Sequence, residues 1–295
     1  MKSGIVAVVG RANAGKSTLV NVLVGEKVSI VSPKPQTTRD RILGVLTEAD
    51  YQIVFADTPG LYKAESHLNA LMQRTAEQSA RDVDLILFVM DAHAGIREED
   101  LAAAKRFMRA KIPFVLVLSK IDIMPAERVP ETLLQCGELG VDVVPVSARR
   151  GKNLKELLRV IVSRLPERGK IFEEDIVSDK SERFMLAEIM REKILLKFDK
   201  EIPHGVAVVI NEFREREDGG IVDVSLDIVC EKQNHKAILI GKQGKALKEV
   251  SSFARGEMEK FLGKKVFLTT YVKVEEHWRD SGRMIAELGY KDLEF

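Results

Sequence analysis

A chain of 295 residues with 45% hydrophobic side chains is long enough to fill two cores, so two domains are expected. Charged residues make up 31%, yet the formal net charge is +1, which excludes an overall polycation and leaves any nucleic-acid affinity to a local patch. The two cysteines, Cys136 and Cys230, lie far apart and in different candidate domains, which excludes a disulfide or thiolate–metal framework and suits a reducing cytosol. Apolar runs such as residues 85–90 are too short to span a bilayer. No signal-peptide pattern is expected, because residues 5–9 run straight into a glycine loop.

The apolar run 5–9 predicts a buried strand. It is followed by Gly10, Arg11, Ala12, Asn13, Ala14, Gly15, Lys16 and Ser17, and then by a helix over residues 18–24 that opens on Thr18. Strand, glycine loop and helix with the spacing G-x-x-x-x-G-K-S make a phosphate-binding P-loop. Loop amides and the helix N-terminus converge on an anion. Lys16 reaches the β- and γ-phosphates, and Ser17 offers a hydroxyl to Mg²⁺.

Residues 32–40 carry two prolines among polar neighbours and read as a loop. They contain Thr37 and Thr38. Taken alone the segment is a surface loop. Beside the P-loop, one of these two threonines can give the metal a second hydroxyl. Strands follow at residues 42–47 and 51–56, the second ending in Asp57, Thr58, Pro59, Gly60 and Leu61. An Asp at that strand end is placed to hold the metal through water, and the Gly60 amide to meet the γ-phosphate.

A helix is expected over 68–80, a strand over 84–90, a helix over 98–109 and a strand over 113–118. The last strand ends in Ser119, Lys120 and Asp122. The Asp122 carboxylate suits the N1 and N2 donors of guanine, and Lys120 can lay its stem over the base. A helix at 126–139, a strand at 141–146, Ser147 and Ala148 beside the guanine O6, and an amphipathic helix at 151–165 complete the first half. Alternating strands and helices imply a mostly parallel sheet covered on both faces. Every candidate residue falls just after a strand, so the segments point to one pocket.

Residues 170–180 are polar and read as a linker between a domain at 1–169 and another at 181–295. A helix over 183–198, a strand over 206–213 and a turn at 217–220 follow. The stretch 221–231 alternates, with Val222, Val224, Leu226, Ile228 and Cys230 on one face, as in a half-buried antiparallel strand. Between residues 232 and 248 lie five lysines and no acid, around Gly241, Lys242, Gln243 and Gly244. A glycine turn between two helices brings a nucleic-acid backbone near its amides, and Lys236, Lys242, Lys245 and Lys248 supply attraction for phosphates. With a strand at 266–274, this resembles the GXXG loop of a type II KH domain. Trp278 reads equally as a base-stacking ring or as an anchor for the tail.

The P-loop, Thr37–Thr38, Asp57–Gly60, Ser119–Asp122 and Ser147–Ala148 together resemble translation-factor-type GTPases. The run Gln36–Arg39 and the stretch Asp57–Leu61 are similar to the Era family more particularly. That resemblance implies an α/β P-loop GTPase domain, with a mostly parallel sheet and helices on both faces, followed by an α+β type II KH domain. It implies GTP/GDP and Mg²⁺ as ligands, with Lys16, Gly60 and Thr38 in catalysis and Ser17, Thr38 and Asp57 around the metal. Asn13 matches a P-loop asparagine that supports K⁺ in related GTPases. The implied partners are the 3′ end of 16S ribosomal RNA and the small (30S) ribosomal subunit, for a monomer acting in subunit assembly. The implied location is cytoplasmic, with peripheral contact at the membrane. Two departures matter. Ser119 stands where such families carry Asn, which implies a weaker grip on guanine. Leu61 stands where Ras-like proteins carry a water-orienting Gln, which implies slow turnover. The competing expectation is an RNA-binding module that uses GTP as a structural ligand.

Overall fold

In the computed structural model, residues 1–61, 66–200, 202–217 and 219–290 are described. The first domain is built on a six-stranded sheet of β1 (Lys2–Gly10), β2 (Ile42–Thr47), β3 (Tyr51–Asp57), β4 (Leu85–Asp91), β5 (Phe114–Ser119) and β6 (Asp142–Pro145). Their spatial order is β2-β3-β1-β4-β5-β6. Only β2 runs antiparallel to its neighbour. The inner strands are continuous apolar runs because both faces are covered. Val6 and Val8 face a cluster with Leu19 of α1 (Lys16–Val24) and Leu157 and Ile161 of α5 (Leu154–Arg164). Ala7 and Val9 face the opposite cluster, with Ala104 and Phe107 of α3 (Glu98–Met108) and Cys136 of α4 (Val129–Gly137). The expected helix at 126–139 is shorter than its pattern. It opens as a single 3₁₀ turn over Ala126–Arg128, because Pro130 fits only the first turn of an α-helix.

The second domain runs α6 (Glu182–Lys197), β7 (Ala207–Glu215), β8 (Ile221–Cys230), α7 (Gln233–Ile240), α8 (Lys245–Leu262) and β9 (Lys265–Val274), followed by the short α9 (Gly282–Glu287). This is the type II KH order. The central strand β8 pairs antiparallel with β7 and parallel with β9, so the expected antiparallel pair is half of its environment. Val222, Val224, Leu226, Ile228 and Cys230 are buried against the helices, as their alternation requires. Asp227 and Val229, on the other face, are buried as well. Asp227 is paired with Lys273 at 2.5 Å. Val229 sits in a cluster with Leu68, Leu71 and Met72 of α2 (His67–Gln78), Trp278 and Ile285. The first domain covers that end of the second domain's sheet, a tertiary event no strand pattern announces.

Residues 170–180 do not hang free. The Gln52 side chain accepts from the Ile171 and Phe172 amides at 2.7 and 2.9 Å and donates to the Phe172 carbonyl at 2.9 Å. The Val45 amide donates to the Val177 carbonyl at 2.8 Å, and Lys180 pairs with Asp40 at 2.7 Å. The segment is tied along edge strand β2, which satisfies polar groups that an open edge would leave exposed.

Candidate nucleotide site and nucleic-acid interface

The loop after β1 is shaped by close approach. Gly10 has φ +145°, and a Cβ there would lie 2.3 Å from the Val89 carbonyl oxygen. Gly15 caps α1 with no side-chain partner for the first helical amides, so those N–H groups remain available to an anion. The Lys16 ammonium donates to the Gly10 and Arg11 carbonyls, each at 3.0 Å. Burial pulls Lys16 from its ordinary 10.5 to about 8, with nearby Asp57 opposing the shift. A buried ammonium whose hydrogen bonds among the described residues go to neutral carbonyls still carries a charge that attracts a polyphosphate.

Ser17 and Thr38 hydroxyls lie 2.9 Å apart. The neighbouring Thr37 hydroxyl is already engaged with Ser32 at 2.8 Å and the Lys34 carbonyl at 2.6 Å. Between the two threonines, the geometry therefore favours Thr38 as the partner of Ser17. Both Asp57 carboxylate oxygens are buried without a hydrogen-bond partner among the described residues. Burial pushes this carboxyl up from the ordinary range, and the adjacent Ser17 hydroxyl and Lys16 ammonium pull it back only in part. Buried polar groups are almost always paired. Two hydroxyls beside an orphaned carboxylate fit a hard cation that binds oxygen and keeps several waters. Gly60 is pressed onto the P-loop: a Cβ there would stand 2.7 Å from the Ala12 Cα.

The loop after β5, expected to read the base, is tied to the same loop. The Ser119 hydroxyl lies 2.6 Å from the Ala14 carbonyl and 3.0 Å from the Met90 carbonyl. The serine thus ties the loop after β5 to the P-loop backbone. Lys120 donates to the Asn13 carbonyl and to Asp91, each at 2.6 Å. The Ser147 hydroxyl, with smaller help from the Arg150 and Arg149 charges, holds the Asp122 carboxyl below its usual range. An ionised Asp122 is the form that accepts two guanine N–H donors.

These loops enclose a cavity of about 380 Å³. Ala12, Asn13, Gly15, Lys16, Ser17, Thr18, Thr38, Gly60, Ser119, Lys120, Asp122 and Ala148 line it. Gly10, Arg11, Ala14, Asp57, Thr58, Pro59, Leu61 and Ser147 do not. Several of these brace the wall from behind. Arg11 pairs with Asp100 at 3.5 Å, Thr58 donates to the Val8 carbonyl at 2.8 Å, and the Leu61 side chain packs into the opposite apolar cluster. Sequence reasoning missed Leu19, Ile30, Val31, Ser32, Pro33, Ile123, Val146, Arg149 and Leu196, which also line the cavity. The apolar run at 28–31 before a proline loop was the one available signal. Leu196 had none, because it arrives from α6 of the second domain.

The glycine turn lies between α7 and α8. A Cβ on Gly241 (φ +71°) would sit 2.6 Å from the Ala246 Cβ, so both backbone angle and space require glycine. Gln243 takes a left-handed φ of +54° at the tip. Lys242, Gln243, Lys245 and Lys248 are exposed, and Lys236 is half-buried one helix back. Trp278 is fully buried, donates to the Gly205 carbonyl at 3.0 Å and stacks on Tyr290 at 6.0 Å. Of the two readings of this residue, the anchor is the one realised.

Residues 5–120 match a family model described as 50S ribosome-binding GTPase, and residues 201–279 one described as KH domain. GTPase Era of Clostridium kluyveri is 44% identical over 293 residues, 99% of this chain and 100% of its own. GTPase Era of Caldanaerobacter subterraneus subsp. tengcongensis is 45% identical over 291 residues, 98% of each chain. Among solved structures, Era in complex with MgGDPNP and nucleotides 1506–1542 of 16S ribosomal RNA superposes with a TM-score of 0.94 at 40% identity, covering 98% of this chain and 99% of that one. An Aquifex aeolicus Era variant bound to GDP.AlF4⁻ gives the same TM-score at 39% identity and the same coverage. With both domains matched in order and the likeness running through nearly the whole chain, this protein belongs to the Era family of GTPases.

Proposed function

We propose that this chain binds GTP with Mg²⁺, hydrolyses it slowly, and binds the 3′ end of 16S ribosomal RNA during small-subunit assembly. The observation that carries the reading is the joining of a guanine-type cavity and an exposed basic GXXG turn in one chain, in the fold of a relative crystallised with MgGDPNP and that RNA. The proposed metal ligands are Ser17 and Thr38, with Asp57 behind a water. Bound there, Mg²⁺ supplies charge that offsets the negative charge developing on the phosphates. Lys16 and the loop amides do the same from the protein side. The Gly60 amide meets the γ-phosphate, and Asp122 and Lys120 hold the base. Lys236, Gly241, Lys242, Gln243, Gly244, Lys245 and Lys248 face the RNA backbone. Domain limits at 169 and 181 belong to this reading.

K⁺ is proposed as a further cation beside Asn13, whose amide donates to the Pro33 carbonyl at 2.7 Å. Hydrolysis should run faster in K⁺ than in Na⁺, and Asn13→Ala should abolish the difference. Equal rates in both salts would remove the role. A cytoplasmic monomer on the 30S subunit, with peripheral membrane contact, follows from the family resemblance. Among the described residues no helix is long and apolar enough to cross a membrane.

The test of the central reading is an RNA titration with GDP-bound and GTP-analogue-bound protein. Loop 32–39 touches both the cavity and the second domain, so a coupling of about 1–3 kcal/mol is expected, and RNA must tighten GTP binding by the same factor. Equal RNA affinities in the two states would mean the domains are only tethered. A second reading, GTP as a structural ligand, draws on Leu61, which cannot orient water. Single-turnover hydrolysis with and without the RNA separates the two.

A further inference from the structure

We infer that Arg191, on α6 of the second domain, is a positioning residue for the Thr38 hydroxyl, so that the metal side of the nucleotide site is complete only while the two domains are docked. The inference rests on the proposed role of Thr38. Arg191 is 1% exposed. Glu188, three residues earlier on the same helix, grips its guanidinium with two contacts, at 2.7 Å to Nε and 2.5 Å to Nη2. The free side of the fork points across the domain boundary. Nη1 donates to the Gln36 carbonyl at 3.3 Å, and Nη2 donates to the Thr37 carbonyl. One planar group therefore fixes two successive peptides immediately before Thr38.

The residue immediately after Thr38 is fixed from the same side. Arg39 is buried inside the second domain, where it donates to the Val206, His204 and Pro203 carbonyls at 2.7, 3.0 and 3.3 Å. Its guanidinium lies over the Trp278 and Tyr290 rings at 5.8 and 5.7 Å. Thr38 is thus a single residue suspended between two buried arginine contacts, with its hydroxyl delivered to within 2.9 Å of Ser17. Glu192, on the same face of α6, extends the grip by accepting from the Val31 amide at 2.9 Å and pairing with Lys27 at 2.7 Å.

Energetics argue that the pair is there for placement. A buried ion pair seldom stabilises a fold more than apolar residues of the same volume. A lysine would offer a point charge without the fork needed to hold Glu188 and two carbonyls together. What the pair supplies is a fixed geometry for the loop carrying the metal hydroxyl.

The test uses the full chain with Arg191→Ala and Arg191→Lys. In nucleotide- and metal-free protein, hydrogen exchange of the amides at 36–39 should accelerate in both. The Mg²⁺ concentration needed for half-maximal binding of a non-hydrolysable GTP analogue should rise about tenfold, the loss expected when charge-assisted hydrogen bonds go. GDP affinity should stay within about twofold, since the P-loop and Asp122 are untouched. Lysine should not rescue. If Arg191→Ala melts without a cooperative transition, Glu188→Gln takes its place, and a Mg²⁺ requirement raised about threefold is then expected. A folded variant with unchanged exchange at 36–39 and unchanged Mg²⁺ dependence overturns the inference. Wild-type protein whose analogue binding ignores Mg²⁺ would instead overturn the proposed metal role of Thr38, and the two failures are distinct.

Discussion

The two binding regions are built on opposite plans. The nucleotide cavity is built on buried polar groups: Lys16 on carbonyls, Ser119 on the Ala14 carbonyl, and behind them Asp57, whose carboxylate oxygens are unbonded among the described residues. The turn at Gly241 to Gly244 puts Lys242 and Gln243 at an exposed tip, and Lys245 and Lys248 are exposed on the helix that follows. The first plan selects one ligand through hydrogen-bond geometry in a low-dielectric site. The second attracts any phosphate backbone and leaves selection to the groove around it. Substitutions should therefore have steep, ligand-specific effects at the first and graded, salt-dependent effects at the second.

The largest effect is expected at Asp122. Asp122→Asn should lower GTP affinity about 10³-fold and shift preference to xanthosine nucleotides, because the amide complements the changed base edge. Competition titrations that left GTP preferred over XTP would show that the base lies elsewhere. Next comes the exposed turn. Lys242→Asp with Gln243→Asp should weaken binding of the ribosomal RNA segment about 100-fold, with a flatter dependence on salt, and leave GTP affinity unchanged. A similar loss of GTP binding would erase the contrast between the regions.

A smaller effect concerns pH. Below pH 8, Lys16 carries its proton in the folded and the unfolded chain, and the cost of burying the ammonium is fully present. Between about 8 and 10.5 only the unfolded chain holds it, so this group's contribution to stability rises with pH. A bound polyphosphate favours the ammonium. Nucleotide binding should accordingly take up a proton in that window, and affinity should fall by up to about tenfold per pH unit. Calorimetry near pH 9 in buffers of different ionisation heat reads the uptake directly, and identical heats would contradict it. The smallest effect is at Leu196, which is 52% exposed and lines the cavity from the second domain. Leu196→Ala should speed nucleotide release about threefold without lowering the melting temperature. Unchanged release would confine the cavity's working surface to the first domain.

Spacing put the P-loop, Asp57 and Asp122 each at or just after a strand end, and the structure has them there, at the ends of β1, β3 and β5. The same logic found the glycine turn. It left open whether Thr37 or Thr38 faces Ser17, since two adjacent threonines differ only in where the loop's peptides point. The hydrogen bonds of Thr37 to Ser32 and Lys34 distinguish them. The bond of the Ser119 hydroxyl to the Ala14 carbonyl had no signal in the spacing, since the two residues lie 105 positions apart.

The residues by themselves determined the two folds and the chemistry each can offer, because periodicity, glycine placement and strand-end polar residues are local in the chain. Only the tertiary structure decided how the folds meet. Arg39 and Arg191 gave no local signal of their contacts, which join residues up to 251 positions apart. A buried guanidinium is stable only where enough acceptors converge on it, and that convergence exists only once both domains are packed.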